Sequence, residues 1–250
     1  VPVPTSPLAG FNPTAYNQIG DLVQDLRGRL GIDPSVVIDL QSSAAARAGA
    51  HGFYDPATRF IGLERGVAQG LVETMFGERT PSSWNAVRSL AHESMHARSA
   101  VMQALARGER LPDWYMYWEE AVAEHRARAA ATELMFRSGG VPDWVMGASR
   151  SYVDEVARLR FLEQRGLDIE RFYGASARER LTMVNEIARR EAATVLTEKF
   201  SHEEIQTIIN RLGDDAQHLV RLNRVSRGNW GTMTRRQILR ELRQDWGIVL

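Results

Sequence analysis

The sequence predicts a mainly helical α+β fold, with a small antiparallel sheet near residues 36–63 and helix through most of the remainder. Three observations carry this. Residues 36–40 and 51–63 hold β-rich runs broken by turn residues. From residue 64 onward, apolar residues recur at helical spacing. Gly139-Gly140 and Pro142 then interrupt the helical stretch, which divides the chain into a core over residues 13–140 and a helical subdomain over 141–250.

The elements follow in order. Ile19, Leu22, Val23, Leu26 and Leu30 place the first helix over about 13–30, closed by Gly31. Val36, Val37, Ile38 and Leu40 form a short strand. Residues 51–54 and 59–63 flank Asp55-Pro56-Ala57-Thr58, which is turn chemistry, so they read as a hairpin. A short helix covers about 67–76. Thr80-Pro81-Ser82-Ser83 starts a long helix over 83–107, ended by Gly108. Pro112 opens the next, over 112–138. Further helices are expected near 151–165, 177–198, 201–212, 214–223 and 233–246, with Ser201 and Glu204 as a capping box.

Composition narrows the function classes. The 250 residues are 44% apolar and 25% charged, enough for a sizeable core and incompatible with disorder of the whole chain. Thirty-one basic residues balance thirty-one acidic ones, which argues against nucleic-acid binding by net charge. The absence of cysteine removes disulfides, Cys-zinc clusters and thiol nucleophiles. Lys199 is the only lysine. No transmembrane run and no signal peptide are visible, and the compartment stays open. The start VPVPTSPLAG reads as the end of a linker, over residues 1–12, so the chain is expected to be a fragment, a processed product or an excised domain of a larger polypeptide.

The chemistry is carried by His92-Glu93-Ser94-Met95-His96, an H-E-x-x-H pattern inside the helix over 83–107. Residues four apart share a helix face, so His92 and His96 can offer two imidazole nitrogens to one cation. Glu93 lies beside them, placed to take a proton from water. A zinc site needs a third protein ligand, here His, Asp or Glu. The next long helix carries Glu119-Glu120-Ala121-Val122-Ala123-Glu124-His125, with Glu120 and Glu124 on one face. One can bind the metal while the other accepts a hydrogen bond from a ligand histidine. Glu120 is the favoured ligand and Glu119 its rival. His125 points about 100° away from Glu124 around the helix.

The pair of motifs resembles the gluzincins, the zincin metallopeptidases that include thermolysin, whose pattern is H-E-x-x-H on one helix and E-x-x-x-D/E on a later one. The resemblance covers about residues 50–130. It implies a zincin-like core with one Zn2+ per chain held by His92, His96 and Glu120. It also implies Glu93 as general base, Glu124 as support for a ligand histidine, and a peptide or protein substrate. Zinc is the default metal, with manganese and cobalt as alternatives. Zincins have a sheet before the active-site helix whose edge strand binds extended substrate, and residues 59–63 are the candidate edge. The metzincin pattern fails, because Ser99 and Met102 stand where it needs Gly and His.

An oxyanion donor is expected among Tyr115, Tyr117, Tyr152, Tyr173, His202 and His218, with none preferred. Trp114, Tyr115, Met116, Tyr117 and Trp118 form an aromatic cluster suited to packing the two motif helices or to lining a pocket. Two rival functions remain. One is a non-catalytic structural domain of a larger assembly protein that keeps the zincin fold. The other is nucleic-acid binding through the C-terminus, where seven arginines face only Glu241 and Asp245 across the last thirty residues.

Overall fold

The structure is a computed structural model and describes residues 11–48, 50–111, 115–137, 139–147, 152–212 and 229–250. The helix expected at 214–223, the first ten residues of the linker, Pro112, Trp114 and His218 lie outside the described residues.

The chain is mostly helical and forms two compact units. The first comprises residues up to Arg110 together with Tyr117–Val156; the second comprises Leu111–Met116 and Ala157–Leu250. The first unit thus runs past residue 140 to Val156.

In the first unit, α1 (Ile19–Leu30) buries Leu22, Val23, Leu26 and Leu30 along one stripe. Three short strands follow: β1 (Val37–Asp39), β2 (Gly52–Asp55) and β3 (Phe60–Leu63), with α2 (Ser43–Ala48) between the first two. They form one sheet in the order β1-β3-β2. The hairpin is present: β2 pairs antiparallel with β3, Tyr54 opposite Ile61. Asp55 makes its turn by accepting from the Ala57 amide at 2.9 Å and the Thr58 hydroxyl at 2.6 Å.

Two expectations are corrected here. The sheet is mixed, because β1 pairs parallel with β3, Ile38 beside Ile61. A parallel pair needs a crossover, and α2 lies in it. Strand β3 is consequently central. The candidate edge at 59–63 is therefore inside the sheet, and the edges are β1 and β2.

Helices α3 (Arg65–Met75) and α4 (Pro81–Arg98) pack against each other over much of their length. Gly70 permits their close approach: a Cβ there would meet Ala86 Cβ and the Ser82 carbonyl oxygen, each at 2.7 Å. Leu22, Leu26, Ile61, Leu63, Leu71, Val87 and Leu90 form a fully buried core around these elements. A capping box between Thr80 and Ser83, with Pro81 in the first turn, starts α4.

The single helix expected over 83–107 is two helices. The break falls at Ser99, whose extended backbone ends α4 and whose hydroxyl accepts from the Val101 and Met102 amides to start α5 (Ala100–Ala106). Helix α6 (Tyr115–Phe136) completes the motif-bearing pair.

The second unit holds most of α7 (Val153–Glu163), then α8 (Ile169–Gly174), α9 (Ala177–Leu196), α10 (His202–Leu212), α11 (Asn229–Thr232) and α12 (Arg235–Trp246). Its core gathers Phe172, Leu196, Ile208, Trp230, Ile238 and Leu242. Buried Arg180 donates to the Phe172 and Tyr173 carbonyls at the end of α8, at 2.9 and 2.8 Å. Lys199 donates to the Trp230 and Gly231 carbonyls. Among the C-terminal arginines, Arg235 pairs with Glu204 at 2.5 Å, and Arg236, Arg240 and Arg243 are exposed. Among the described residues, no helix is long and apolar enough to cross a membrane.

Candidate metal centre

Helices α4 and α6 meet through a ladder of polar contacts that climbs one turn at a time. Trp84, Arg88, His92 and His96 stand four apart on α4, on one face. They meet Thr132, Glu124, Glu120 and Glu119 of α6, which run in the reverse direction. Trp84 donates to the Thr132 hydroxyl at 3.2 Å, and Arg88 donates to Glu124 at 2.5 Å. The two histidines complete the ladder.

His92 and His96 turn their Nε2 atoms toward each other, 3.1 Å apart. Glu120 Oε2 lies 3.0 Å from His92 Nε2 and 3.5 Å from His96 Nε2. One ligand atom from each residue lies within 4.8 Å of the others, so the three form a group able to hold a cation.

The far nitrogens are also held. His92 Nδ1 is 3.1 Å from Glu124 Oε2, and His96 Nδ1 is 2.9 Å from Glu119 Oε1. A carboxylate at Nδ1 keeps the proton there and leaves the Nε2 lone pair for the shared point. Each carboxylate is steadied in turn. Arg88 and Arg128 both donate to Glu124, and the Ser99 hydroxyl donates to Glu119 at 2.8 Å. Ser99, which breaks the helix, thereby fixes the carboxylate that orients His96.

The five residues His92, Glu93, His96, Glu120 and Glu124 are therefore brought to one place. Glu119 reaches it too, at the back of His96 and away from the shared point. The support that Arg88 and Arg128 give Glu124, and Ser99 gives Glu119, is not among the sequence expectations. For Arg88 and Arg128 the available signal is the continuation of the four-residue spacing upstream of His92 and downstream of Glu124; Ser99 lies outside that register.

The charges explain the protonation states. Burial alone would depress both imidazoles. The hydrogen bonds to Glu120 and Glu124 instead raise His92, and those to Glu119 and Glu120 raise His96. Burial works against ionisation of Glu120 and Glu124 as well. The histidines, with the two arginines at Glu124, hold both carboxyls well below the usual range. Glu93 differs: it is 6% exposed, has no hydrogen-bond partner among the described residues, and is raised by burial.

Glu93 lines a cavity of about 420 Å³ together with His92, Gly52 and Tyr152. Gly52 opens β2 directly over it: a Cβ at that position would lie 3.1 Å from Glu93 Cγ and Oε1. Edge strand β2 thus begins beside the candidate base.

Tyr152 stands out among the candidate oxyanion donors. Its ring stacks on the His92 imidazole, centroids 5.5 Å apart and planes 17° apart. Its backbone is left-handed, at φ 53°, a conformation that disfavours a bulky residue. Burial and the negative charge of the neighbouring Glu120 carboxylate keep the phenol protonated. Tyr117 packs edge-on against Trp118 at 5.0 Å. Tyr173 lies in α8 and His202 in α10, both in the second unit, and Tyr115 falls there as well.

No family model matches the chain, and neither a curated protein nor a solved structure matches it.

Proposed function

We propose that the chain is a zinc-dependent metallopeptidase of the gluzincin type, with His92, His96 and Glu120 as metal ligands. The supporting observation is the spacing of the three donor atoms. Donors at the corners of a tetrahedron around zinc, each ~2.05 Å from the ion, stand ~3.3 Å apart. The separations here are 3.1, 3.0 and 3.5 Å.

Charge balance points the same way. Glu93, Glu119, Glu120 and Glu124 are four carboxylates against the two guanidiniums of Arg88 and Arg128. With neutral histidines the cluster lacks two positive charges. A divalent cation supplies them; without one, protons on the two imidazoles do. The upward shifts of His92 and His96 are the protonic form of that deficit.

When bound, zinc would acidify a water and polarise a substrate carbonyl. The chain's own residues supply the rest. Glu93, unpartnered and with a raised pKa, accepts the proton of the attacking water and delivers it to the leaving amine. The Tyr152 hydroxyl donates a hydrogen bond to the oxygen on which charge develops, a role for which its retained proton suits it. Strand β2 offers its edge to an extended peptide.

The test is metal content alongside cleavage. About one zinc per chain in the parent, lost in His92→Ala and in Glu120→Ala, with a peptide library cut only by the zinc-loaded parent, supports the reading. A parent that takes up no zinc when it is supplied overturns it.

A further inference from the structure

The candidate cavity continues past the metal site, toward the N-terminus of α4. One turn before His92 and Glu93 its wall is formed by Arg88 and Ser89. A buried guanidinium at a cavity wall is unusual, because its charge must be balanced by something. Arg88 is 5% exposed and Ser89 4%.

The donors at this wall are incompletely used. Arg88 Nε–H donates to Asn85 at 3.3 Å, one N–H to Glu124 at 2.5 Å, and one to Ser89 Oγ at 3.3 Å. A guanidinium has five N–H bonds, so two have no acceptor among the described residues. Ser89 accepts from Arg88, and its own hydroxyl proton likewise has no acceptor there. Glu124 receives both Arg88 and Arg128, so Arg88 shares its carboxylate partner with a second cation. Glu93 is an anion on the same cavity, but its place is beside His92, where it serves as proton acceptor.

We propose that this end of the cavity is a carboxylate subsite, in which Arg88 and Ser89 select a substrate bearing a carboxylate next to the scissile bond. Two free N–H donors and one O–H match the acceptor capacity of a carboxylate, and Arg is the side chain suited to such planar recognition. An amide of the same shape offers the guanidinium one neutral oxygen in place of two anionic ones, and so accepts fewer and weaker bonds. The carboxylate can be an acidic side chain or the C-terminus of the peptide, since both present the same group. That it belongs to a cleaved substrate rests on the peptidase reading; the preference for the charge does not.

The test is binding to the full chain carrying Glu93→Gln, with and without zinc, followed by fluorescence anisotropy. One peptide pair differs only by Glu or Gln at a central position, and a second ends in a free carboxylate or an amide. One pair should show a carboxylate preference of ~10- to 100-fold, and which pair does so identifies the source. Arg88→Lys should reduce the ratio, and Arg88→Met should bring it close to one. Because Arg88 also braces Glu124, Ser89→Ala is the gentler probe and should lower the ratio several-fold. Equal affinity within both pairs, absence of binding included, overturns the proposal, whether or not any peptide is cut. So does a preference that survives in a folded Arg88→Met chain. A preference in a protein that never takes up zinc supports the subsite and overturns only the metallopeptidase reading.

Discussion

Glu119 accepts from the Nδ1 side of His96 at 2.9 Å while its chain neighbour Glu120 stands 3.5 Å from Nε2 of the same ring. Adjacent residues on a helix point about 100° apart, so one imidazole lying across the groove between them can meet both. The two glutamates then do different work: Glu120 faces the shared point, and Glu119 fixes the ring. Removing them should separate these roles. Glu120→Ala should abolish tight zinc binding. Glu119→Ala should weaken it ~10- to 100-fold while leaving a site that still saturates. Competition with a chromophoric chelator reads both, and equal losses would contradict the division.

Glu93→Gln should keep about one zinc per chain and lower turnover ~10²- to 10⁴-fold, the usual contribution of a positioned general acid–base. The same change should raise the melting temperature of the metal-free protein near neutral pH. Burial raises the Glu93 pKa, so its ionised form is penalised in the fold, and the penalty grows as pH rises past the carboxyl range. Glutamine removes that charge. Calorimetry beside a cleavage assay checks both halves, and a variant that loses stability would mean Glu93 has a partner of its own.

Which parts of this arrangement were legible in the sequence follows from the range of the signals. His92, His96, Glu120 and Glu124 are spaced by one helical turn, a local regularity that any helix converts into a shared face. Glu119 broke that register, and its place depends on where α4 crosses α6, which no local pattern encodes. The break at Ser99 is masked by apolar periodicity that continues through it, although a serine whose hydroxyl can accept from the next turn is itself a start signal. The hairpin at 52–63 was readable from its turn chemistry. The parallel pairing of β1 was not, because it joins residues more than twenty positions apart across α2. Nothing local to Arg88 distinguishes it from a helix-surface charge; its role depends on Glu124, thirty-six residues away, lying against it.

Tyr152 invites a substitution that spares its stacking. Tyr152→Phe keeps the ring on His92 and deletes only the hydroxyl. Turnover should fall ~10²-fold, as on loss of one donor to a developing oxyanion, with zinc content intact and KM little changed. If zinc affinity fell instead, the hydroxyl would be acting through the neighbouring Glu120 carboxylate and not on the substrate.

At the proposed site, zinc binding and pH would be linked through the two imidazoles. Burial opposes the charge on His96, but its bonds to Glu119 and Glu120 outweigh burial and lift it from 6.5 to about 10 in the metal-free fold. A base raised on folding adds stability that is complete below its unfolded pKa and disappears as pH rises through the folded one. The metal-free protein should therefore lose stability between pH 6.5 and about 10. Zinc requires the lone pair that this proton occupies, and His92 is raised in the same direction. Binding must expel one or both protons, so apparent zinc affinity should climb ~10- to 100-fold per unit between about pH 6 and 8. At fixed free zinc, the gap between the melting temperatures of loaded and metal-free protein should widen over the same interval. A gap independent of pH would mean that the metal is held by groups other than these histidines.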